Sequence, residues 1–342
     1  MRLARVAAGV LIAGALAAVA GWLAFDRWRN APLAIGADPV QIEIPRGQPL
    51  AQAARQLAAR GVLDRPRWFL LYARLTGADA RVRAGEYAVE PGTTPAGLLE
   101  LLQSGRVIQH AVTLVEGSTF RDLRRALEGA AALEITLAGK NDAEVMRMLG
   151  EPDRSPEGLF FPDTYVYGKG VSDVEILRQA RTRMRDELGQ AWAGRADDLP
   201  FATPYEALVL ASIVEKETAL AAERPRIAGV FTGRLRRGMR LQTDPTVIYG
   251  LGPRFDGNLR RADLERDGPY NTYTRTGLPP TPIALPGRAA LQAATQPDER
   301  GELYFVATGL PDGSHAFSRT HAEHQAAVRE YLVRYRQRKA ER

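Results

Sequence analysis

From Val6 to Phe25 the chain runs for twenty residues without a charge, VAAGVLIAGALAAVAGWLAF, long enough for a helix to cross a hydrocarbon layer about 30 Å thick. A cleaved signal peptide has a shorter apolar core, about 7 to 15 residues, so the pattern favours a retained anchor. Trp22 and Trp28 stand where an interfacial aromatic belt is expected. Arg2 and Arg5 ahead of the run are nearly balanced by Arg27 and Arg29 behind it. Charge asymmetry alone therefore does not orient the span, and the five-residue head favours a cytoplasmic N-terminus. No second apolar run of that length follows, which predicts a single-pass protein with the rest of the chain outside the cytoplasm.

Beyond a short linker at residues 30–39 the period of the pattern switches repeatedly between 2 and 3.6. Gln41 to Ile44 reads as a strand, and Leu50 to Ala59 as an amphipathic helix ending at Gly61. A second helix is expected over about Pro66 to Leu75, then a strand around Gly85 to Val89 and a Pro91-Gly92 turn. A helix from Thr94 to Leu102 follows, stopping at Gly105. Strand, helix, helix, strand is the order of a LysM-like module, which cradles GlcNAc-containing glycans, and equally of other small α+β domains.

Val107 to Val115 reads as a strand, and Ser118 or Thr119 can cap a helix from Phe120 to Leu127. A short helix is expected near Ala143 to Leu149. The aromatic segment GLFFPDTYVY, Gly158 to Tyr167, suits either a core turn or a wall of a sugar cleft. Helices are expected over Val171 to Leu188, Pro204 to Leu220 and Arg226 to Arg236. Between Gly238 and Pro286 glycine, proline, threonine, asparagine and tyrosine replace the helical period, and a stretch that long is usually functional or disordered. A hairpin from Leu303 to Ala307 and His315 to Phe317 precedes a closing helix at Ala322 to Gln337. The expected fold is α+β in four parts. Residues 1–29 form a cytoplasmic head and transmembrane helix, 40–106 a small LysM-like subdomain, 107–337 a larger mixed domain and 338–342 a tail.

Composition narrows the chemistry. Of 342 residues 45% are hydrophobic and 25% charged, ordinary values for a folded protein. The net charge is +6 and nearly all the cations are arginines, interspersed with acids, which is not the clustered footprint of a nucleic-acid groove. There is no cysteine, so disulfides, thiol nucleophiles and Cys-ligated metals are excluded. His315, His321 and His324 with Glu323 are the one histidine cluster, but no HExxH-like spacing supports a metal site there.

The segment ALVLASIVEKETAL is the most informative. At 100° per residue Glu217 shares its face with Leu210, Ile213, Val214, Leu220 and Ala221, and Glu215 shares its face with Leu208, Ala211, Ser212 and Thr218. Glu217 is on the more apolar side. A carboxyl beside apolar groups has its charged form disfavoured and can deliver a proton near neutral pH, as a glycosidic general acid must. The competing reading is an ion pair between Glu217 and an arginine such as Arg224 or Arg226.

EKET (Glu215 to Thr218), RLRRGMRLQTDPTVIYGLG (Arg234 to Gly252), YNTYTRTGLPPTPIALPG (Tyr270 to Gly287), LYFVA and the HxFxxTxxEH pattern from His315 resemble the YceG-like family, the endolytic murein transglycosylases also called MltG. The resemblance covers about Gln41 to Tyr335. It implies an inner-membrane protein with a periplasmic catalytic domain that cuts nascent peptidoglycan strands internally, without a cofactor, with penicillin-binding-protein synthases as partners. The family's catalytic glutamate, the second of EKET, falls on Glu217. Its cleft blocks fall on Gln242, Thr243 and Asp244 and on Tyr270, Asn271, Tyr273 and Thr274. These side chains suit N-acetyl groups and sugar hydroxyls, or loop backbone groups. Thr281 and Leu285 depart from the glycine and the polar residue more usual in the family.

A hydrolase of the usual kind needs two carboxyls flanking the bond. A lytic transglycosylase needs one, because the C6 hydroxyl of MurNAc closes onto its own C1 and leaves a 1,6-anhydro end. Glu217 would first protonate the glycosidic oxygen and then take the hydroxyl's proton. Asp244 and Glu223 are the other acids expected near substrate, orienting it or stabilising oxocarbenium charge. Two alternatives accompany this reading: a two-carboxylate muramidase, and a non-catalytic, membrane-anchored glycan-binding scaffold of the cell-wall machinery.

Overall fold

The computed structural model describes residues 2–340. The side chain of Arg2 and residues 341–342 of the expected tail lie outside it. The fold is α+β and divides into two compact units, one holding the residues up to His110 with Val166–Val171, the other Ala111–Tyr165 and everything from Ser172 onward.

The first unit begins with α1 (Arg2–Arg29), whose Arg5–Arg29 stretch is long and apolar enough to cross a membrane. Its side chains from Val6 to Ala24 are exposed, whereas Phe25 and Trp28 are buried in the core of the unit. Trp28 is thus not a free interfacial ring: its Nε1 donates to Asp64 Oδ1 at 2.8 Å. Leu33, in the expected linker, is buried in the same core and its N–H donates to the Thr93 carbonyl at 2.8 Å. An apolar residue that reaches a core is not linker, whatever its polar neighbours suggest.

Strands β1 (Val40–Ile44) and β2 (Gly85–Val89) pair antiparallel with Ile42 opposite Tyr87. The period of two puts Ile42, Ile44, Tyr87 and Val89 on the buried face. Over it pack α2 (Leu50–Ala59), α3 (Pro66–Leu75) and α4 (Pro95–Ser104), through Leu57, Phe69 and Leu98 among others. The Thr94 hydroxyl caps α4, and Gly105 ends it at φ 70°, a conformation glycine takes without penalty.

β3 (Gln109–Thr113) and β4 (Thr164–Gly168) stand where the chain passes between the units. β4 is absent from the sequence expectation. Phe160, Phe161 and Tyr165 of the aromatic segment are all buried, with Phe160 stacked on Phe120 at 5.2 Å. They are core and not a sugar-cleft wall.

The second unit contains α5 (Phe120–Glu128), α6 (Asp142–Met148), α7 (Asp173–Ala193), α8 (Pro204–Glu217) and α9 (Arg224–Arg236). It continues through α10 (Asp244–Leu251), α11 (Arg261–Glu265), α12 (Arg288–Thr295), the hairpin β5 (Tyr304–Ala307) and β6 (His315–Ser318), and α13 (His321–Ala340). Every residue of α8 from Ala207 to Val214 is buried, as expected of a helix that is apolar all round. It packs against α7, α9, α10 and α12 and is the axis of the unit. α9 approaches the 298–299 backbone so closely that a side chain on Gly229 would collide with the Asp298 carbonyl.

Candidate active site

The site is built on the C-terminal end of α8. A capping box fixes its start, with the Thr203 hydroxyl accepting from Glu206 N and the Glu206 carboxylate accepting from Thr203 N. Its end comes at Glu217, three residues earlier than the expected Leu220. Thr218 turns to extended backbone (φ −145°, ψ 139°) and its hydroxyl accepts from Leu220 N at 3.0 Å, the local competition by which threonine disrupts helices. Leu220 and Ala221 are therefore not on the helical face of Glu217, although Ile213 and Val214 are.

The two glutamates of this last turn have separate fates. Glu215, with 4% of its side chain exposed, takes a 2.8 Å contact from the Arg224 guanidinium and accepts from Gly287 N at 2.9 Å. Arg226, the other cation considered for Glu217, pairs instead with Glu302. Among the described residues no arginine bonds Glu217, and its one hydrogen bond is accepted at Oε2 from the Thr243 hydroxyl at 2.8 Å. Burial, the largest cause, pushes its carboxyl above the ordinary range, the Thr243 bond works against this, and the Asp244 charge adds to it. Burial also lifts Glu215, more than Arg224 lowers it. Hydrogen-bonding capacity, not pKa, tells the two apart.

Glu217 opens into a cavity of about 460 Å³ lined also by Arg234, Gln242, Asp244, Tyr273, Tyr304 and His315. Gln242 sits at φ 50°, an uncommon state for a residue with a Cβ, costing of the order of 1 kcal/mol. That conformation directs Gln242 N onto the Thr272 carbonyl at 3.1 Å, and Thr243 N donates to the Thr272 hydroxyl at 3.1 Å. These bonds lock the Thr243 hydroxyl against Glu217. Asp244 opens α10, is exposed, and accepts from the Tyr273 hydroxyl at 2.6 Å. Glu223 accepts from His315 N at 2.9 Å and is 2.7 Å from its Nδ1, so its contact with the cavity runs through the histidine that lines it.

The remaining expected residues lie elsewhere. Asn271 is buried, with its amide nitrogen on the carbonyls of Asp263, Leu264 and Arg266 and its oxygen on Tyr273 N. Thr274 donates to Asp267. Tyr270 bonds Thr281 at 2.8 Å and lines another cavity with Glu157 and Tyr249. Leu285 is fully buried. The threonine and leucine that depart from the family pattern thus serve packing and a tyrosine contact.

Sequence reasoning misses Arg234 and Tyr304. Arg234 is buried and donates to the carbonyls of Leu303 and Leu241, each at 2.6 Å, with its guanidinium over the Tyr304 ring. A cation pinned in this way is a fixed positive charge beside Glu217. Its only sequence signal is an arginine in an otherwise apolar helical face. His321 and His324 line the same cavity and flank Tyr304, and no group of three or more metal-binding side chains occurs among the described residues.

Comparison with known proteins places this arrangement. The model of the YceG-like family matches residues 42–330. The endolytic murein transglycosylase of Bacillus subtilis is 31% identical over 310 residues, 86% of this chain and 85% of that one. Endolytic murein transglycosylases from two Streptococcus pneumoniae strains are 26% identical over 93% of this chain, which spans only 63% of their length. A YceG-like protein of Listeria monocytogenes, known from its crystal structure, superposes with a TM-score of 0.51 at 27% identity, covering 85% of this chain and 99% of its own. The chain belongs to the YceG-like family.

Proposed function

We propose that this protein is a membrane-tethered endolytic murein transglycosylase that cleaves the MurNAc–GlcNAc bond of nascent peptidoglycan strands and leaves 1,6-anhydro-MurNAc ends. The observation that carries this reading is the Glu217 carboxyl, sunk in a cleft, held by one hydroxyl and, among the described residues, in no ion pair. A carboxyl so placed keeps its proton until a glycosidic oxygen can receive it. As that bond breaks, Glu217 becomes a carboxylate and takes the proton from the C6 hydroxyl closing onto C1. No water enters. Asp244, beside it, favours the protonated starting form and stabilises the positive charge that develops at C1. His315, fixed by Glu223, and Gln242 supply hydrogen-bonding groups for the sugars on either side. The first unit, with its LysM-like element order, holds the uncleaved strand, α1 tethers the protein with its N-terminus in the cytoplasm, and cell-wall synthases supply the substrate.

Digestion of purified peptidoglycan in ¹⁸O-labelled water tests the reaction. New muramic ends should carry no label, resist borohydride and be lighter by one water than hydrolytic ends. Labelled, reducible ends would overturn the lyase reading and make Asp244 the second carboxylate of a muramidase. For topology, a reporter active only after export should work when fused behind the last residue, and a reporter active only in the cytoplasm should not.

A further inference from the structure

The twenty uncharged residues Val6 to Phe25 make about 30 Å of helix at 1.5 Å per residue, the thickness of a hydrocarbon layer. Phe25, the last of them, is already inside the first unit: its ring centre lies 5.7 Å from Trp68 and 6.2 Å from Tyr72 of α3. One turn further on, Trp28 meets Trp68 edge-on at 5.6 Å. No flexible joint separates the apolar helix from the unit, so a bilayer that ends at Phe25 reaches the level of α3.

The outward side of α3 matches that position. Phe69 and Ala73 face the core, whereas Arg67, Leu71, Arg74 and Leu75 are exposed. Their spacing of i, i+4, i+7 and i+8 makes them one stripe. Leu71 is 48% exposed and Leu75 64%, apolar surface left open among the described residues. Large apolar side chains alternating with arginines on a short helix face are the make-up of a segment that lies in a membrane interface. Nearby, Arg27, Arg29 and Arg65 outnumber Asp26 and Asp64, and Arg65 lies over the Trp68 ring at 4.4 Å.

We infer that the Arg67, Leu71, Arg74 and Leu75 face of α3 docks on the bilayer that α1 crosses, with the leucines at the boundary of acyl chains and headgroups and the arginines on anionic lipid phosphates. This rests on the reading of α1 as a membrane anchor. The first unit is then seated on the lipid at a fixed height and does not swing on a tether.

The chain has no cysteine, so single cysteines report cleanly. Full-length Ala17→Cys, Leu71→Cys and Leu75→Cys proteins, each carrying a fluorophore, are reconstituted into phosphatidylglycerol or phosphatidylcholine vesicles containing a lipid-borne quencher. The Ala17 label reports the anchor and should be quenched in both lipids. The Leu71 and Leu75 labels should lose most of their fluorescence in phosphatidylglycerol and less in phosphatidylcholine. Adding Arg67→Glu and Arg74→Glu should reduce the phosphatidylglycerol loss to the phosphatidylcholine level. A quenched Ala17 label with unquenched Leu71 and Leu75 labels overturns the docking. An unquenched Ala17 label overturns the anchor reading beneath it. Equal quenching in the two lipids, unchanged by the arginine substitutions, refutes the headgroup contact.

Discussion

Two cavities of the second unit each hold a glutamate whose charged form burial disfavours, and they differ in what that glutamate has left to offer. The larger, about 1120 Å³, contains Glu157, whose oxygens accept from Phe120 N at 2.9 Å and the Tyr249 hydroxyl at 3.1 Å. One bond fastens the start of α5 and the other ties it to α10. In the smaller cavity, about 460 Å³, Glu217 accepts one hydrogen bond among the described residues, from the Thr243 hydroxyl. Volume would choose Glu157, whose carboxyl burial pushes up to about 7, and burial raises Glu217 as well. Unspent bonding capacity chooses Glu217, because a proton donor that serves as a structural acceptor cannot also meet substrate.

The comparison breaks most directly at activity. Glu217→Gln keeps the shape and the Thr243 contact but has no proton to give, so strand cleavage should fall by about 10² to 10⁴ with little change in melting temperature. Glu157→Gln should leave cleavage within a few-fold of wild type. If the second substitution silences the enzyme and the first does not, the roles are reversed.

Next in size is Glu215→Gln, which strands the nearly buried Arg224 guanidinium. Breaking such a pair costs about 3 to 5 kcal/mol, seen as a lower denaturant midpoint, and activity should survive at temperatures where the variant is folded. A loss of turnover at unchanged stability would move Glu215 into the chemistry.

Glu157 also predicts a pH dependence of stability. Its native pKa of about 7 stands above the ordinary 4.5, so the native state holds the proton more tightly than the unfolded one. The resulting stability is complete below about pH 4.5 and is lost as pH rises through 7, by about 3 kcal/mol. Chemical denaturation at pH 5 and pH 8 should reveal the slope, and Glu157→Gln should flatten it.

The smallest effect concerns Asp244. With Glu217 as the proposed general acid, activity should fall as pH climbs through its raised pKa. Asp244→Asn removes one cause of that elevation, so the alkaline limb of kcat/KM should move to lower pH. A limb that stays in place would show that Asp244 does not act on Glu217 through its charge.

Much of the fold is legible in the chain because local signals agree. α2, α3 and β2 run between a breaker and an amphipathic period, and their limits follow from sequence. α10 is hidden, since Asp244-Pro245 opens it inside a stretch dominated by glycine, proline and tyrosine. β4 is hidden because its buried Tyr165 and Tyr167 follow Phe160, Phe161 and Pro162, which mask the alternation. The apolar surroundings of Glu217 can be read from helical spacing even though its helix ends sooner than the spacing assumes. Asn271 could not be assigned from residue type, since an amide suits a sugar and a loop carbonyl equally well. Arg234 and Tyr304 have meaning only after the hairpin has folded back onto α9.

That fold-back fixes when the cleft can exist. Arg234 clasps the carbonyls of Leu241 and Leu303, and His315 reaches the cavity from β6. A ribosome that has released α8 and the Thr243 loop has made Glu217 and its hydroxyl partner, yet the opposite wall is still unsynthesised. The cleft closes around its carboxyl only after the hairpin emerges, so a chain interrupted before β6 would carry a carboxyl with nothing to aim it.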